Sequence, residues 1–287
     1  MRTLVLSATT QRMRILLLGK TGLLGSEFFG LLSQREDIEL VAPTHRELDL
    51  LNVLAVDAFL AGQFFDRIID CVGYTQVDAA ETEQGRCKQL NIQILETLLS
   101  HRQPIIHFST DYVFNIPSGE AIPEDSERVP LNYYGETKLQ AEKLLEKYSA
   151  LWWNIRTSWL FGSHGKNFIT TIREKSVLQS SLRVVGDEIG RPTFAGDLAK
   201  FVIEEFVDKS PASGHFHLQN TGEPCSWAEL AEYVLQRTGS ETEIKRIAST
   251  ALERPAKRPK NSVLANTLLN RNMRSWKEAV DAFLGRE

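Results

Sequence analysis

Apolar residues first gather into a run of strand length, Arg14 to Leu18. Past glycines 19, 22 and 25 their period changes, with Phe28, Phe29, Leu31 and Leu32 at helical spacing. A second strand is predicted from Ile38 to Ala42. "RIIDCVG" then reads as a strand, "CKQLNIQILETLLS" as a helix and "PIIHFST" as a strand. Pro130 and Asn132 open the next helix, whose buried side carries Leu139, Leu144 and Leu145. "WWNIRTSWLFG" and "GHFHLQN" continue the strands, while "TFAGDLAKFVIEEFV" and "SWAELAEYVLQRTG" continue the helices. Strands alternating with helices predict an α/β fold, a doubly wound parallel sheet with helices on both faces. Ligands of such folds bind beyond the carboxyl ends of the strands, where Gly73, Ser109 and Thr110 fall.

With 287 residues, 42% hydrophobic and 24% charged, the chain is long enough for two packed units. The late helix and strand at 193–220 return to the sheet, so the units interleave. A Rossmann-type domain is expected at 13–157 and 193–220, and a smaller α/β substrate domain at 158–192 and 221–287. Residues 1–12 read as an extension without a full signal-peptide pattern, and no run of apolar residues is long enough to span a membrane. A net charge of -4 gives no case for a nucleic-acid or membrane partner. Cys71, Cys87 and Cys225 are too scattered for a metal or redox motif, which suits a reducing cytoplasm.

Strand, glycine turn and helix, in that order, form a dinucleotide-binding pattern. Gly19, Gly22 and Gly25 permit a tight turn, approach of backbone N–H groups to a pyrophosphate, and close helix-on-strand packing. The spacing Gly-x-x-Gly-x-x-Gly is no Walker loop, since no Gly-Lys-[Ser/Thr] closes it. After the second strand no acid follows at once. Thr44, His45 and Arg46 there can donate to a 2′-phosphate, which favours NADPH and leaves NADH open.

Of the adjacent Tyr133 and Tyr134, only Tyr134 has a lysine one helical turn on, Lys138. Thr110, at a strand end, can reach the same carbonyl as Tyr134. Ser109 and Thr110 alternate in direction, so one of them faces the site. "GKTGLLG", "STDYVF", "YGETK", "RTSWLFG", "DEIGRPT" and "RPKNSVL", in this order, resemble the extended short-chain dehydrogenase/reductases, specifically the dTDP-4-dehydrorhamnose reductase family. The resemblance runs from about Arg14 into the C-terminal region. It implies hydride transfer from NADPH or NADH to the C4 ketone of a nucleotide-linked 6-deoxysugar, with Thr110, Tyr134 and Lys138 as catalytic triad. It also implies that Trp159 lines the sugar pocket. Some members bind magnesium at a dimer contact; no local motif assigns such residues here, and metal and homodimer are both left open.

The chemistry agrees with that triad. A ketone that accepts hydride becomes an alkoxide and needs a proton, which Tyr134 can give. Bringing a phenol from its usual pKa near 10 toward neutrality takes roughly 4 kcal/mol. The Lys138 ammonium has the right sign to supply part of it. With the resemblance, the expected cofactor site comprises Gly19, Thr21, Gly22, Leu23, Leu24 and Gly25, then Arg46, Asp49 and Leu50. Cys71, Val72, Gly73, Tyr74 and Ser109 follow, with Tyr134 and Lys138. The expected substrate site comprises Thr75, Val77, Thr110, Asp111, Tyr112 and Trp159. Arg191, Arg258 and Asn261 join it as donors toward a diphosphate.

Some residues depart from the family pattern. Asp70-Cys71-Val72-Gly73-Tyr74-Thr75 stands for the usual Asn-Ala-Ala-Ala-Tyr-Thr, Asn115-Ile116 for Asp-Gly, and Gln140 for a glycine. Two other readings stay open: a noncatalytic regulatory subunit like that of methionine adenosyltransferase, and a nucleotide-sugar epimerase or dehydratase, for which Asp111 is the relevant acid. His215 and His217 share a strand face and read as structural; Glu81, Glu83, Asp187 and Glu188 read as surface carboxylates.

Overall fold

Six strands form one parallel sheet in the computed structural model, which describes residues 12–117, 119–148 and 150–285. They are β1 (Met13–Leu18), β2 (Ile38–Val41), β3 (Arg67–Asp70), β4 (Ile105–Thr110), β5 (Trp152–Thr157) and β6 (Gly214–His217). Their order across the sheet is β6-β5-β4-β3-β1-β2. β1 lies inside, and its side chains alternate between two cores. Ile15 and Leu17 join Phe28, Leu32, Leu198, Phe201 and Val202 on one face. Leu16 and Leu18 join Val56, Leu60, Leu95, Leu98 and Leu145 on the other. The sheet is therefore covered on both sides, as the alternation of strands and helices predicts.

The first helix, α1, spans Leu23–Leu32. Leu24, Phe28 and Leu32, four apart, form its buried stripe, whereas Phe29 is 40% and Leu31 37% exposed. The helical pattern of the sequence thus forms a helix, with positions 29 and 31 flanking its buried stripe. The segment 84–100 is helical throughout but carries a π-turn at Gln89–Gln93, and 195–207 ends in another at Ile203–Val207. The tyrosine helix runs Tyr133–Glu146, and the Asn132 side chain caps it by accepting from Gly135 N at 2.8 Å.

A further core joins Phe161, Ile169, Ile172, Leu182, Val184, Phe194, Val234, Val280 and Phe283. Helices Phe168–Leu178, Trp227–Arg237 and Trp276–Leu284 surround it, with the parallel pair Ser181–Val185 and Glu243–Ile247. Phe194 enters this core through the pairing of Leu160–Phe161 with Thr193–Phe194, although 193–220 otherwise returns to the large sheet. The expected extension at 1–12 lies, apart from Arg12, outside the described residues. No described helix is long and apolar enough to cross a membrane.

Candidate active site

The carboxyl ends of β1, β2 and β3 open onto a cleft of about 380 Å3 walled by the glycine turn. Gly19 has φ +82°, a left-handed conformation that favours glycine, and a Cβ there would lie 3.0 Å from the Cys71 carbonyl oxygen. At Gly25 a Cβ would lie 2.1 Å from Gly19 O, so helix and turn pack at a distance that only glycine allows. The opposite wall carries Thr44, His45, Asp49, Leu50, Cys71 and Val72. Of the expected cofactor residues, Gly19, Thr21, Gly22, Asp49, Leu50, Cys71 and Val72 line the cleft. Leu23, Leu24 and Gly25 stand behind it as helix packing, with Leu24 buried.

Arg46 is exposed and outside the lining, and the Thr44 hydroxyl is spent on Glu47 at 2.8 Å. The cationic wall is supplied instead by Lys20 and Arg86, beside His45. Tyr74 also turns away: its N–H donates to Asn91 Oδ1 at 2.8 Å and its phenol to Glu83 at 3.0 Å. Asn91 sits on the π-turn, whose extra residue re-aims side chains, and its amide also reaches Gly73's neighbourhood and Thr137 at 2.9 Å.

A pocket of about 240 Å3 adjoins the ends of β4 and β5. Thr75, Val77, Thr110, Asp111, Tyr112, Tyr134 and Trp159 all line it, together with Trp227. Burial holds the Tyr134 phenol above its usual pKa, and the neighbouring Thr110 hydroxyl, which donates to Asp111 at 3.1 Å, acts against that rise. The Tyr112 ring meets Tyr134 edge-on at 5.7 Å. Asp111 is buried and pushed up to about 6 by desolvation, against hydrogen bonds from Ser262 (2.5 Å) and Thr110 (3.1 Å). Trp159 has φ +50° and stacks on Trp227 at 3.5 Å and 13°. Tyr133 and Tyr134 both pack against the small apolar cluster around Tyr74 and Cys87, but Tyr133 is absent from the pocket wall.

Lys138 shares a helix with Tyr134, and its hydrogen bond in this structure runs to His107. Its Nζ meets His107 Nε2 at 2.9 Å, and His107 Nδ1 meets Asp70 Oδ2 at 3.0 Å. Burial brings Lys138 itself down to about 8, and the nearby Asp70 charge opposes that fall. Ser109 sends its hydroxyl to Glu142 at 2.6 Å, and Glu142 pairs with Arg156 through bonds of 2.9 and 2.8 Å. Thr110, not Ser109, thus offers the site its hydroxyl.

Tyr112 and Trp227 also wall a second cleft of about 820 Å3, with Arg183, Lys245, Arg254 and Arg258. Arg258 reaches it while gripping Asp78 at 2.7 and 2.6 Å. Arg254 pairs with Glu188, which is 5% exposed and so is no surface carboxylate. Arg191 donates to the carbonyls of Gly222 (2.8 Å) and Leu264 (3.3 Å), and Asn261 to that of Glu120 (2.8 Å). Both are absent from the walls of the two pockets; they hold loops together, which corrects their expected contact with a diphosphate. His217 Nδ1 lies 3.0 Å from Ile122 O, and His215 Nε2 3.1 Å from Glu146. Among the described residues no group of three or more His, Cys, Asp or Glu is placed to hold a metal ion.

The geometry can now be set beside known proteins. The description of the RmlD substrate-binding domain matches residues 13–287. The chain belongs to that family. A dTDP-4-dehydrorhamnose reductase of Aggregatibacter actinomycetemcomitans is 34% identical over 76% of this chain and 76% of its own. A probable dTDP-4,6-dihydroxy-2-methyloxan-3-one 4-ketoreductase of Streptomyces antibioticus is also 34% identical, over 77% of this chain and 76% of its own. A dTDP-4-dehydrorhamnose reductase of Bacillus anthracis, solved in complex with NADP, is 27% identical with a TM-score of 0.91. That match covers 96% of this chain and all (100%) of the other.

Proposed function

We propose that this protein is an NADPH-dependent reductase of the C4 ketone of a nucleotide-linked 4-keto-6-deoxyhexose, converting dTDP-4-dehydro-L-rhamnose to dTDP-L-rhamnose. The observation that carries this reading is Thr110 and Tyr134 together in the wall of one pocket, which the stacked Trp159 and Trp227 also line. The glycine cradle fits a dinucleotide, since a side chain at Gly19 or Gly25 would fill the space beside the turn. The NADP complex of the Bacillus anthracis relative supports the same cofactor here. When bound, the reduced nicotinamide supplies the hydride. Tyr134 gives its proton to the oxygen developing at C4, and Thr110 hydrogen-bonds that oxygen. Lys138 offsets the resulting phenolate and holds the cofactor ribose.

The indoles of Trp159 and Trp227 hold the sugar face, and the larger cleft takes the nucleoside diphosphate. Arg183, Arg254 and Arg258 face that cleft and suit phosphate oxygens. In this reading segments 13–157 and 193–220 carry the cofactor and 158–192 and 221–287 the substrate. Three free cysteines suit a reducing cytoplasm. The test is direct: purified protein, given dTDP-6-deoxy-L-lyxo-4-hexulose, should consume NADPH in step with a new 4-hydroxy sugar nucleotide. Cofactor binding without reduction of any 4-keto sugar from a dTDP, UDP and GDP panel would reject the reductase reading in favour of a noncatalytic binding module.

A further inference from the structure

Two spacings coincide behind the reaction centre. On β4, His107 and Ser109 are two residues apart and share a face; on the tyrosine helix, Lys138 and Glu142 are four apart and share a face. His107 therefore meets Lys138 at 2.9 Å, and Ser109 meets Glu142 at 2.6 Å. β3 adds Asp70 at the other nitrogen of His107, 3.0 Å away. Asp70, His107 and Lys138 are 3%, 1% and 4% exposed, so bulk solvent does not reach them.

One proton arrangement satisfies all three. An ammonium can only donate, so His107 Nε2 accepts from Lys138; the ring proton then sits on Nδ1 and is donated to Asp70. The other oxygen of Asp70 accepts from Val72 N at 3.1 Å, which fixes the carboxylate. We propose that Asp70 and His107 are positioning residues for the reaction: together they form a buried wire that orients the Lys138 ammonium and supplies its counter-charge. This rests on the reductase reading only in making Lys138 the lysine that serves tyrosine and cofactor.

The titratable groups facing Lys138 are Asp70 from β3, His107 from β4, Cys87 from the helix Gln84–Lys88 and Glu142 from its own helix. Burial lowers Lys138 to about 8, and the Asp70 charge is the largest of those opposing the fall. His107 is lowered by its own burial and then by Lys138, which keeps the ring neutral and able to accept. Neutralising Asp70 removes the largest part of that opposition, so Lys138 should lose its proton at lower pH.

The experiment is a carbon-13 NMR titration of ligand-free protein labelled at lysine Cε, with the Lys138 signal identified by its loss in Lys138→Met. The wild-type midpoint is expected at about 8. Asp70→Asn should move it down by about one unit, the scale of losing a close opposite charge. His107→Phe should move it likewise, and His107→Gln, which restores an acceptor, should recover part of the shift. Unmoved midpoints in the folded variants would overturn the wire; should Asp70→Asn not fold, the two His107 variants decide alone. Shifted midpoints in a protein that reduces no 4-keto sugar would sink the reductase reading and leave the wire standing.

Discussion

Gly190 offers a way to disturb the sugar pocket without touching a reacting atom. A Cβ at this position would lie 2.7 and 2.8 Å from Trp159 Cε2 and Cζ2. Ordinary carbon contact begins near ~3.5 Å, so in Gly190→Ala the indole must retreat by roughly 0.7 Å or more. Trp159 is half-buried and can move, but only by slipping on Trp227, against which it lies at 3.5 Å. Overpacking of this kind costs about 1–3 kcal/mol. Taken from sugar binding, that is about a fivefold to 150-fold rise in KM, with kcat changed less because Thr110 and Tyr134 keep their places. Steady-state kinetics with the 4-keto sugar nucleotide measures the effect, and tryptophan fluorescence reports the displaced stack. A variant with altered fluorescence and an unchanged KM would refute the role given to this indole pair.

Glu142→Gln should cost about 3–5 kcal/mol in urea unfolding, because it leaves the buried Arg156 guanidinium without its counter-charge. Hydrogen bonds and charge from Arg156 overcome burial and hold Glu142 at about 2, below its ordinary 4.5. Its contribution is thus complete above the unfolded value and is lost as pH falls from about 4.5 toward 2; a wild-type stability no steeper than that of the variant in this window would contradict the pairing. Arg46→Ala should weaken NADPH and spare NADH if the exposed side chain swings onto a 2′-phosphate. An unchanged NADPH affinity would pass that role to Lys20 or Arg86, which already line the cleft.

The parts of the fold that lay open in the sequence were those with a strong local period. β1 reads as a buried strand because Ile15 to Leu18 form an unbroken apolar run, and the turn after it reads as a cradle because Gly19 and Gly25 stand where a side chain would collide. Tyr134 could be told from Tyr133 by a four-residue spacing alone. The partner of Lys138 could not. His107 comes from a strand thirty-one residues earlier, and only the register of that strand against the helix joins them. Arg191 and Asn261 illustrate the converse: each looks like a phosphate donor in a string of letters, yet each is consumed by carbonyls brought from distant loops. Glu188 was read as a surface carboxylate because no local signal shows that Arg254 folds over it. Trp227 carried its signal in "SWAEL", a capped helix start, but its place over Trp159 depends on how two segments of the substrate side meet.

The central claim is that Tyr134 is the proton donor for a ketone reduced in this pocket, and a comparison of wild type with Tyr134→Phe measures it. Both proteins should bind NADPH, since the phenyl ring keeps its packing against Tyr112. With saturating dTDP-6-deoxy-L-lyxo-4-hexulose, the variant should form the 4-hydroxy product at least about a hundredfold more slowly, the scale of losing a general acid. Product formation at the wild-type rate by a variant that lacks the hydroxyl would contradict the account.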